Sequence, residues 1–371
     1  MLASLNRGGT EMLELDVCRN AHANHLDLLF VTTGGGDLED DFRASGAEFM
    51  RMRRVLPFDP VLVGNLRRLI RREKIGVVHA HQPVDALHLW AATRGLALKR
   101  ILTLHGWCTG WKNRMALKFL LPRMDARVFV TDDMRQAWDS EHGPRARREC
   151  LTVYNGVDFN RLEIDAAQND FRKKMGWGSD VRLAGMIANF YADQRKDPMT
   201  VCRALPSLFQ RVPGAQFVFV GARAERAPRI HDECVNFCRE HGISDRVHFL
   251  GKRTDVASIL AALDVFVLSS RRDTFGIAAV EAMGLGVPAV LSDIGALREI
   301  SGDGKSAVLF RTGDERDLAE KLTSLLLHRE ERLVIAASGK EWARSRFSIE
   351  RHIAGLIALY DRLGAANACA S

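Results

Sequence analysis

"DVFVLSSRRDTFGIAAVEAMGLGVPAVLSD", residues 264–293, contains the unit from which the fold can be read. An apolar run ends in two serines and a charged turn. A segment of small and apolar residues follows, long enough for a short helix, and "VPAVLSD" (287–293) begins a second apolar run. Apolar runs that do not alternate with polar residues, set either side of a helix, predict parallel strands buried on both faces. Two carboxylates interrupt this apolar stretch, Asp273 and Glu281.

Outward from this unit the same pattern recurs. In the first half the apolar runs are "LDLLFVTTGGG" (26–36), "IGVVHAH" (75–81), "RILTLHG" (100–106) and "ARVFVTDD" (126–133). In the second half they are "VRLAGMIANF" (181–190), "AQFVFVGA" (215–222), "RVHFLG" (246–251), "DVFVLSS" (264–270) and "VPAVLSD" (287–293). Longer amphipathic segments separate them, which predicts an α/β protein of two doubly wound, Rossmann-like domains. The length, 371 residues, is more than one hydrophobic core usually serves. Asn-Gly within "VYNGVDFNRL" (153–162) marks the joint, so the expected division is 1–158, 159–345 and a closing helix within 346–371. That helix carries an apolar stripe, Ile349, Ile353, Leu356, Ile357, Tyr360 and Leu363, expected to pack back on the first domain. Only Met1 to Leu5 precede the glycine turn "LNRGGTEM". The first strand is therefore expected to be truncated: either the natural chain begins upstream or the fold tolerates a stub.

With 47% hydrophobic and 27% charged residues the composition is that of an ordinary globular protein. No apolar run is long enough to span a bilayer and "MLASLNRGG" is too short and polar for a signal peptide, so a cytoplasmic location is expected. The seven cysteines form no C-x-x-C pair and read as reduced structural thiols. The net charge is +7, and residues 1–155 carry 23 Lys/Arg against 18 Asp/Glu. "RMRR" (51–54) and "RRLIRREK" (67–74) hold much of this excess, which suits an anionic partner or, equally, a solvated helix face.

Glu281 is the least expected residue of its segment, because an unpaired buried carboxylate costs several kcal/mol. Either a ligand satisfies it or a buried arginine or backbone donors do. Asp273 precedes the helix that Thr274 to Gly276 should open, so by itself it reads as an N-cap. Eight residues of helix rise about 12 Å, too far for the two carboxylates to act on one bond. The span matches an extended nucleotide sugar, with the N–H groups of Phe275 and Gly276 facing a diphosphate between them.

"DTFGIAAVEAMGLGVPAVLSDIGALREI" resembles the donor-site signature of the family-4 retaining glycosyltransferases of the GT-B fold, also called glycosyl transferases group 1. The resemblance extends through "SLNRGGTEM" (4–12), "VVHAH" (77–81), "TLHG" (103–106), "VYNGVD" (153–158), "RKDPMTVCRAL" (195–205), "FVFVGA" (217–222), "FLGKRTDV" (249–256) and "FSIERHIAGLIALY" (347–360). It implies two Rossmann-like domains facing a central cleft, an N-terminal acceptor domain and a C-terminal nucleotide-sugar donor domain. It places Glu281 on the ribose hydroxyls and Asp273 at the position of a glutamate that contacts the donor sugar, one methylene shorter here. It also implies Arg195 and Lys196 on the diphosphate, Gly8 and Gly9 approaching it by backbone, and His105 beside the donor sugar. Phe275 and Gly276 would bind phosphate or sugar by backbone groups, and the loop around Gly251, Lys252 and Arg253 would hold the base. The arginine that many relatives carry at the preceding strand end is replaced here by Ala188 or Asn189.

No metal site is expected. "GGGDLEDDF" (34–42) lacks Asp-x-Asp spacing and reads as the capped start of a helix, and His79 and His81 share a strand face without an apparent third ligand. No cofactor is expected beyond a nucleotide-sugar co-substrate, UDP- or GDP-linked. The expected activity is sugar transfer with retention to an acceptor hydroxyl, in lipopolysaccharide, capsule or exopolysaccharide assembly. The acceptor would be lipid-linked or an anionic glycan, with peripheral contact to an anionic membrane at the inner face of the cell membrane and no nucleic acid partner. The alternatives are a non-catalytic nucleotide-sugar-binding subunit, or an epimerase or hydrolase on the same fold. A dinucleotide-dependent dehydrogenase would need a G-x-G-x-x-G turn after a strand, and none is present.

Overall fold

The computed structural model describes residues 1–107, 110–142, 149–164, 169–191, 195–223 and 228–364. The chain forms two compact units, the first being Met1–Gly156 with the closing segment from Ile349, the second Val157–Ser348. The joints expected from sequence lie at 158/159 and 345/346.

In the first unit the strands are β1 (Leu29–Thr32), β2 (Glu48–Arg51), β3 (Val77–Ala80), β4 (Lys99–Leu104), β5 (Ala126–Phe129) and β6 (Cys150–Thr152). β1 pairs with β2, and β3 to β6 follow in order, all parallel. Met1 and Leu2 lie between these two groups. The Leu2 N–H donates to Val31 O at 3.1 Å, and Leu2 O accepts from Thr33 N at 3.0 Å. On the other side the Met1 amine donates to His79 O at 2.9 Å. The stub therefore occupies the place of a central first strand, and its Leu2 and Leu5 are fully buried against Leu15, Phe30 and Phe42.

The glycines of 34–36 close this region. A Cβ on Gly36 would lie 2.2 Å from the backbone of Leu5, and one on Gly34 would lie 2.4 Å from Ala3 O, so only glycine lets the two loops touch. The following helix, Glu39–Arg43, has Leu38 at its N-cap and no side-chain cap. This corrects the expected capped start, since Asp37 instead accepts from the Arg7 N–H at 3.4 Å. The closing helix Ile349–Arg362 belongs to the same unit. Its Leu356 and Leu359 pack with Ile101, Ala126, Val128 and Val153, its buried His352 meets Tyr154 O at 2.7 Å, and its Tyr360 hydroxyl meets His79 Nδ1 at 2.8 Å.

The second unit has strands β7 (Arg182–Ile187), β8 (Ala215–Val220), β9 (Val247–Phe249), β10 (Val265–Leu268), β11 (Ala289–Ser292) and β12 (Val308–Phe310). Their spatial order is β12-β11-β10-β7-β8-β9, all parallel. This is the doubly wound order in which the chain reverses direction between its first and fourth strands, here β7 and β10, so ligands are expected outside their carboxyl ends. The short edge strands β2, β6 and β12 escaped the sequence reading. β2 and β6 carry no continuous apolar run, β2 being exposed at both ends and half-buried between and β6 half-buried throughout, whereas β12 escaped it although Val308, Leu309 and Phe310 are all apolar.

No described helix is long and apolar enough to cross a membrane. The five cysteines among the described residues form no disulfide.

Candidate functional site

The helix Ile277–Leu285 starts where β10 ends, and its conformation follows from its glycines. Gly276 at the N-cap has φ 90° and Gly286 at the C-cap φ 81°, both in the left-handed region where a side chain is strained. A Cβ on Gly284 would lie 1.9 Å from the Phe159 ring, so glycine there lets Phe159 seat on the helix. Two residues further on, Arg161 reaches Glu281, one turn earlier on that helix, with Nη2 to Oε1 at 2.5 Å. Glu281 is buried. The carboxylate picked out in sequence as needing a partner thus has an arginine partner, 120 residues away in the chain. One of the alternatives left open for Glu281, an arginine, is present, half-buried rather than buried, and Oε2 is the remaining carboxylate oxygen.

Asp273 is also enclosed. It caps no helix, because Gly276 holds that position, which corrects its N-cap reading. Instead it forms an ion pair with Lys196, accepts from Thr274 N at 2.9 Å and Phe275 N at 3.4 Å, and lies 3.3 Å from Ser270 Oγ. Burial pushes its carboxyl up, but the Lys196 charge and these hydrogen bonds outweigh burial and leave it below the usual value. Lys196 is delivered by the segment before the helix Pro198–Arg211, where its backbone bridges Ser270. Asp197 then caps that helix through Thr200 and receives Arg271 Nε at 2.9 Å.

The other second-unit residues named from sequence are dispersed. Arg195 stacks its guanidinium 4.7 Å from the Tyr191 ring centre. Arg253 is held by Asp255 through two contacts, 2.8 and 2.6 Å, so its charge is spent locally, and Lys252 beside it is exposed. At the end of β7, Asn189 Oδ1 accepts from Ala222 N at 2.7 Å. Gly221 lies against this strand end so closely that a Cβ there would be 2.1 Å from Ala188 O.

In the first unit the stub and β3 form the corresponding reversal. Gly8 is the N-cap and Gly9 the first residue of the helix Gly9–Asn20, which places their backbone at the carboxyl end of the stub. Around the ends of β3 and β4 the residues are histidines. His79 is anchored by Thr103 Oγ1 at 2.6 Å and Tyr360 at 2.8 Å. His81 turns its Nδ1 to Glu14 Oε1 at 3.0 Å and to His105 Nε2 at 2.9 Å. Burial drives His105 down to about 3 and His81 well below its ordinary value, so both rings are neutral at pH 7. Burial also raises Glu14 to about 7, an effect tempered by the nearby N-terminal amine. The pair His79 and His81 named from sequence is not joined by a third ligand-bearing residue among the described residues, but His81 alone is part of another group. Glu14, His81 and His105 offer ligand atoms that all lie within 4.8 Å of one another, whereas His79 faces elsewhere.

Sequence reasoning missed Arg161, Glu14 and the part played by His81. Glu14 had a legible signal, a carboxylate among the buried residues Leu13, Leu15 and Val17 of one helix. Arg161 had none, because its role depends on a contact made across the fold.

Two family models match the chain: Glycosyltransferase Family 4 over residues 7–161 and Glycosyl transferases group 1 over residues 182–328. Among curated relatives, an N-acetyl-alpha-D-glucosaminyl L-malate synthase of Bacillus anthracis is 24% identical over 82% of this chain and 79% of its own length. A GDP-mannose-dependent alpha-(1-6)-phosphatidylinositol monomannoside mannosyltransferase of Mycobacterium tuberculosis is 27% identical over 85% of this chain and 83% of its own. Among solved structures, Anabaena HepE in complex with UDP and glucose superposes with a TM-score of 0.82 at 19% identity, covering 96% of this chain and 98% of that one.

Proposed function

The chain belongs to the family-4, group 1 glycosyltransferases of the GT-B fold, and from that premise we propose that it moves a sugar from a nucleotide-sugar donor to an acceptor hydroxyl with retention of configuration. The observation that carries the proposal is the pair of enclosed carboxylates at the β7–β10 reversal, each set by a cation, with a glycine-started helix between them.

In this reading Glu281, oriented by Arg161, accepts from the ribose hydroxyls, and Asp273, oriented by Lys196, accepts from hydroxyls of the donor sugar. The helix N-terminus at Gly276 and the cations of Lys196 and Arg195 stabilise charge that builds on the departing diphosphate. The acceptor oxygen bonds to the anomeric carbon on the face from which the diphosphate leaves, and a phosphate oxygen takes the acceptor's proton. No protein carboxylate is then needed as base, in keeping with Asp273 and Glu281 both being engaged by cations. Gly8, Gly9 and His105 of the first unit are assigned to the same transfer. No metal takes part in this scheme.

The donor is read as a UDP- or GDP-sugar. The relatives support that range, one named for its dependence on GDP-mannose and one structure holding UDP. For the acceptor we propose a lipid-linked or anionic glycan in surface-polysaccharide assembly, met at the inner face of the cell membrane. The helix Trp111–Leu120 supports this: Trp111, Met115 and Phe119, at i, i+4 and i+8, are 67%, 62% and 38% exposed, beside exposed Arg114 and Lys118. Such a stripe suits an interface where apolar groups and anionic headgroups meet.

A thermal-shift panel of UDP-, GDP- and ADP-sugars tests the donor site. A donor at 100 times its dissociation constant adds about 2.7 kcal/mol of stability. If no nucleotide stabilises the wild type, the reading fails. Donor consumption measured with and without acceptor then separates transfer from hydrolysis or epimerisation.

A further inference from the structure

We propose that Glu14, His81 and His105 form a binding site for a borderline divalent cation of the Zn2+ class, and that the bound ion withdraws His105 Nε2 from use. Glu14 lies mid-way along the helix Gly9–Asn20, His81 directly follows β3 and His105 directly follows β4, so three rigid elements present one ligand atom each. The side chains of Glu14 and His81 are 7% and 8% exposed, and His105 is half-buried. Two imidazoles and a carboxylate form the protein ligand set of a three-ligand zinc site, in which water takes the fourth position.

The hydrogen-bond chemistry of the cluster points the same way. His81 Nδ1 carries either one proton or one lone pair. It sits 3.0 Å from Glu14 Oε1 and 2.9 Å from His105 Nε2. One proton cannot serve both acceptors along good axes, and one lone pair cannot accept well from two donors. A cation removes the conflict, because each atom then gives it a lone pair. Zinc–ligand bonds of about 2.0–2.2 Å at tetrahedral angles separate ligand atoms by about 3.3 Å, so the two contacts of His81 need open by only a few tenths of an ångström, and the Glu14 and His105 ligand atoms already lie within 4.8 Å of each other. His79, next but one in sequence, is held out of the set by Thr103 and Tyr360. Its ring lies 4.6 Å from that of His81 and backs it.

The binding claim stands independently of the proposed transfer, and only its effect on turnover rests on the role given to His105. The test uses the full chain without an affinity tag. Zn2+ is titrated against a chromophoric chelator, and X-ray absorption at the zinc edge reads the ligands. One equivalent is expected, with an oxygen and nitrogen shell, and with affinity at least tenfold weaker in both His81→Gln and the near-isosteric Glu14→Gln. Failure of the wild type to take up a stoichiometric ion, a sulfur shell at about 2.3 Å, or unchanged affinity in Glu14→Gln overturns the site. Should His81→Gln fail to fold, Glu14→Gln and the absorption spectrum decide. Turnover is expected to fall with zinc occupancy and to return with a chelator. Stoichiometric binding with undiminished turnover keeps the site and overturns the role of His105.

Discussion

At the carboxyl end of β10 in the second unit, Asp273 meets Lys196 and Glu281 meets Arg161. At the carboxyl end of β3 in the first unit the enclosed groups include three imidazoles, and Glu14 beside them faces a histidine rather than a lysine or arginine. Both places are chain reversals of doubly wound sheets, and both bury titratable groups. The difference lies in how burial is resolved. Where a fixed cation is supplied the carboxylate stays ionised, as at Asp273. Where no lysine or arginine is supplied, burial moves the group toward its neutral form, as at His105 and Glu14. The second unit therefore presents fixed charges suited to hydroxyls and phosphates, and the first presents lone pairs.

Removing one carboxylate should show this contrast most strongly. Glu281→Ala removes one carboxylate from the partly buried Arg161, and breaking a buried pair costs about 3–5 kcal/mol. Chemical denaturation is expected to show the loss, and thermal shift to show no response to any nucleotide sugar. Retention of the full nucleotide response would remove Glu281 from the donor site. Lys196→Met comes next. Asp273 then loses the cation that holds its pKa down, so turnover should fall by tenfold or more and what remains should be lost at a higher pH on acidification. A profile unchanged in its acid limb would mean that Asp273 does not contribute.

Gly276→Ala should cost about 1–2 kcal/mol, since the left-handed N-cap penalises any side chain. The added methyl would also lie 2.9 Å from Leu297. A variant as stable as wild type would show that the helix start can relax. In the first unit, His352 sharpens the other side of the comparison. Burial drives it down to about 4, so the unfolded chain binds a proton below about 6.5 that the folded chain refuses until about 4. Stability is thus lost as pH falls from 6.5 to 4. His352→Asn should reduce that slope by one proton, about 1.4 kcal/mol per pH unit, in urea midpoints measured across the window. The smallest effect on stability is expected from Trp111→Ser with Met115→Ser, both exposed. These should leave unfolding within about 0.5 kcal/mol of wild type while weakening sedimentation with anionic vesicles. Unchanged vesicle binding would count against the membrane reading.

The interior parallel strands were legible because each lies in a largely apolar run, even where His79, Thr103 or Arg127 interrupts it, and the helix of Glu281 because small and apolar residues fill the gap between two such runs. The edges β2 and β6 were not, since a strand buried on one side or neither carries no such run, and β12 was passed over although its three residues are apolar. Of the basic run at 67–74, Arg67 proved to be structural. Its Nη1 donates to Ala92 O and Arg94 O at 2.9 and 2.8 Å, which separates it from exposed Arg68 and Arg71. Nothing in the local sequence distinguishes these three arginines.

By itself the sequence determined two doubly wound domains, the anomalous carboxylates Asp273 and Glu281 and the glycine Gly276. Those features are local: apolar periodicity, a charge where none belongs, and backbone freedom where the chain must turn or pack closely. Only the tertiary structure decided the partners. Arg161 came to Glu281 across 120 residues, Lys196 came to Asp273 across 77, and Glu14 and His105 met on His81. An ion pair or a shared ligand site is a statement about distances of a few ångströms, and such distances are set by how sheets and helices stack.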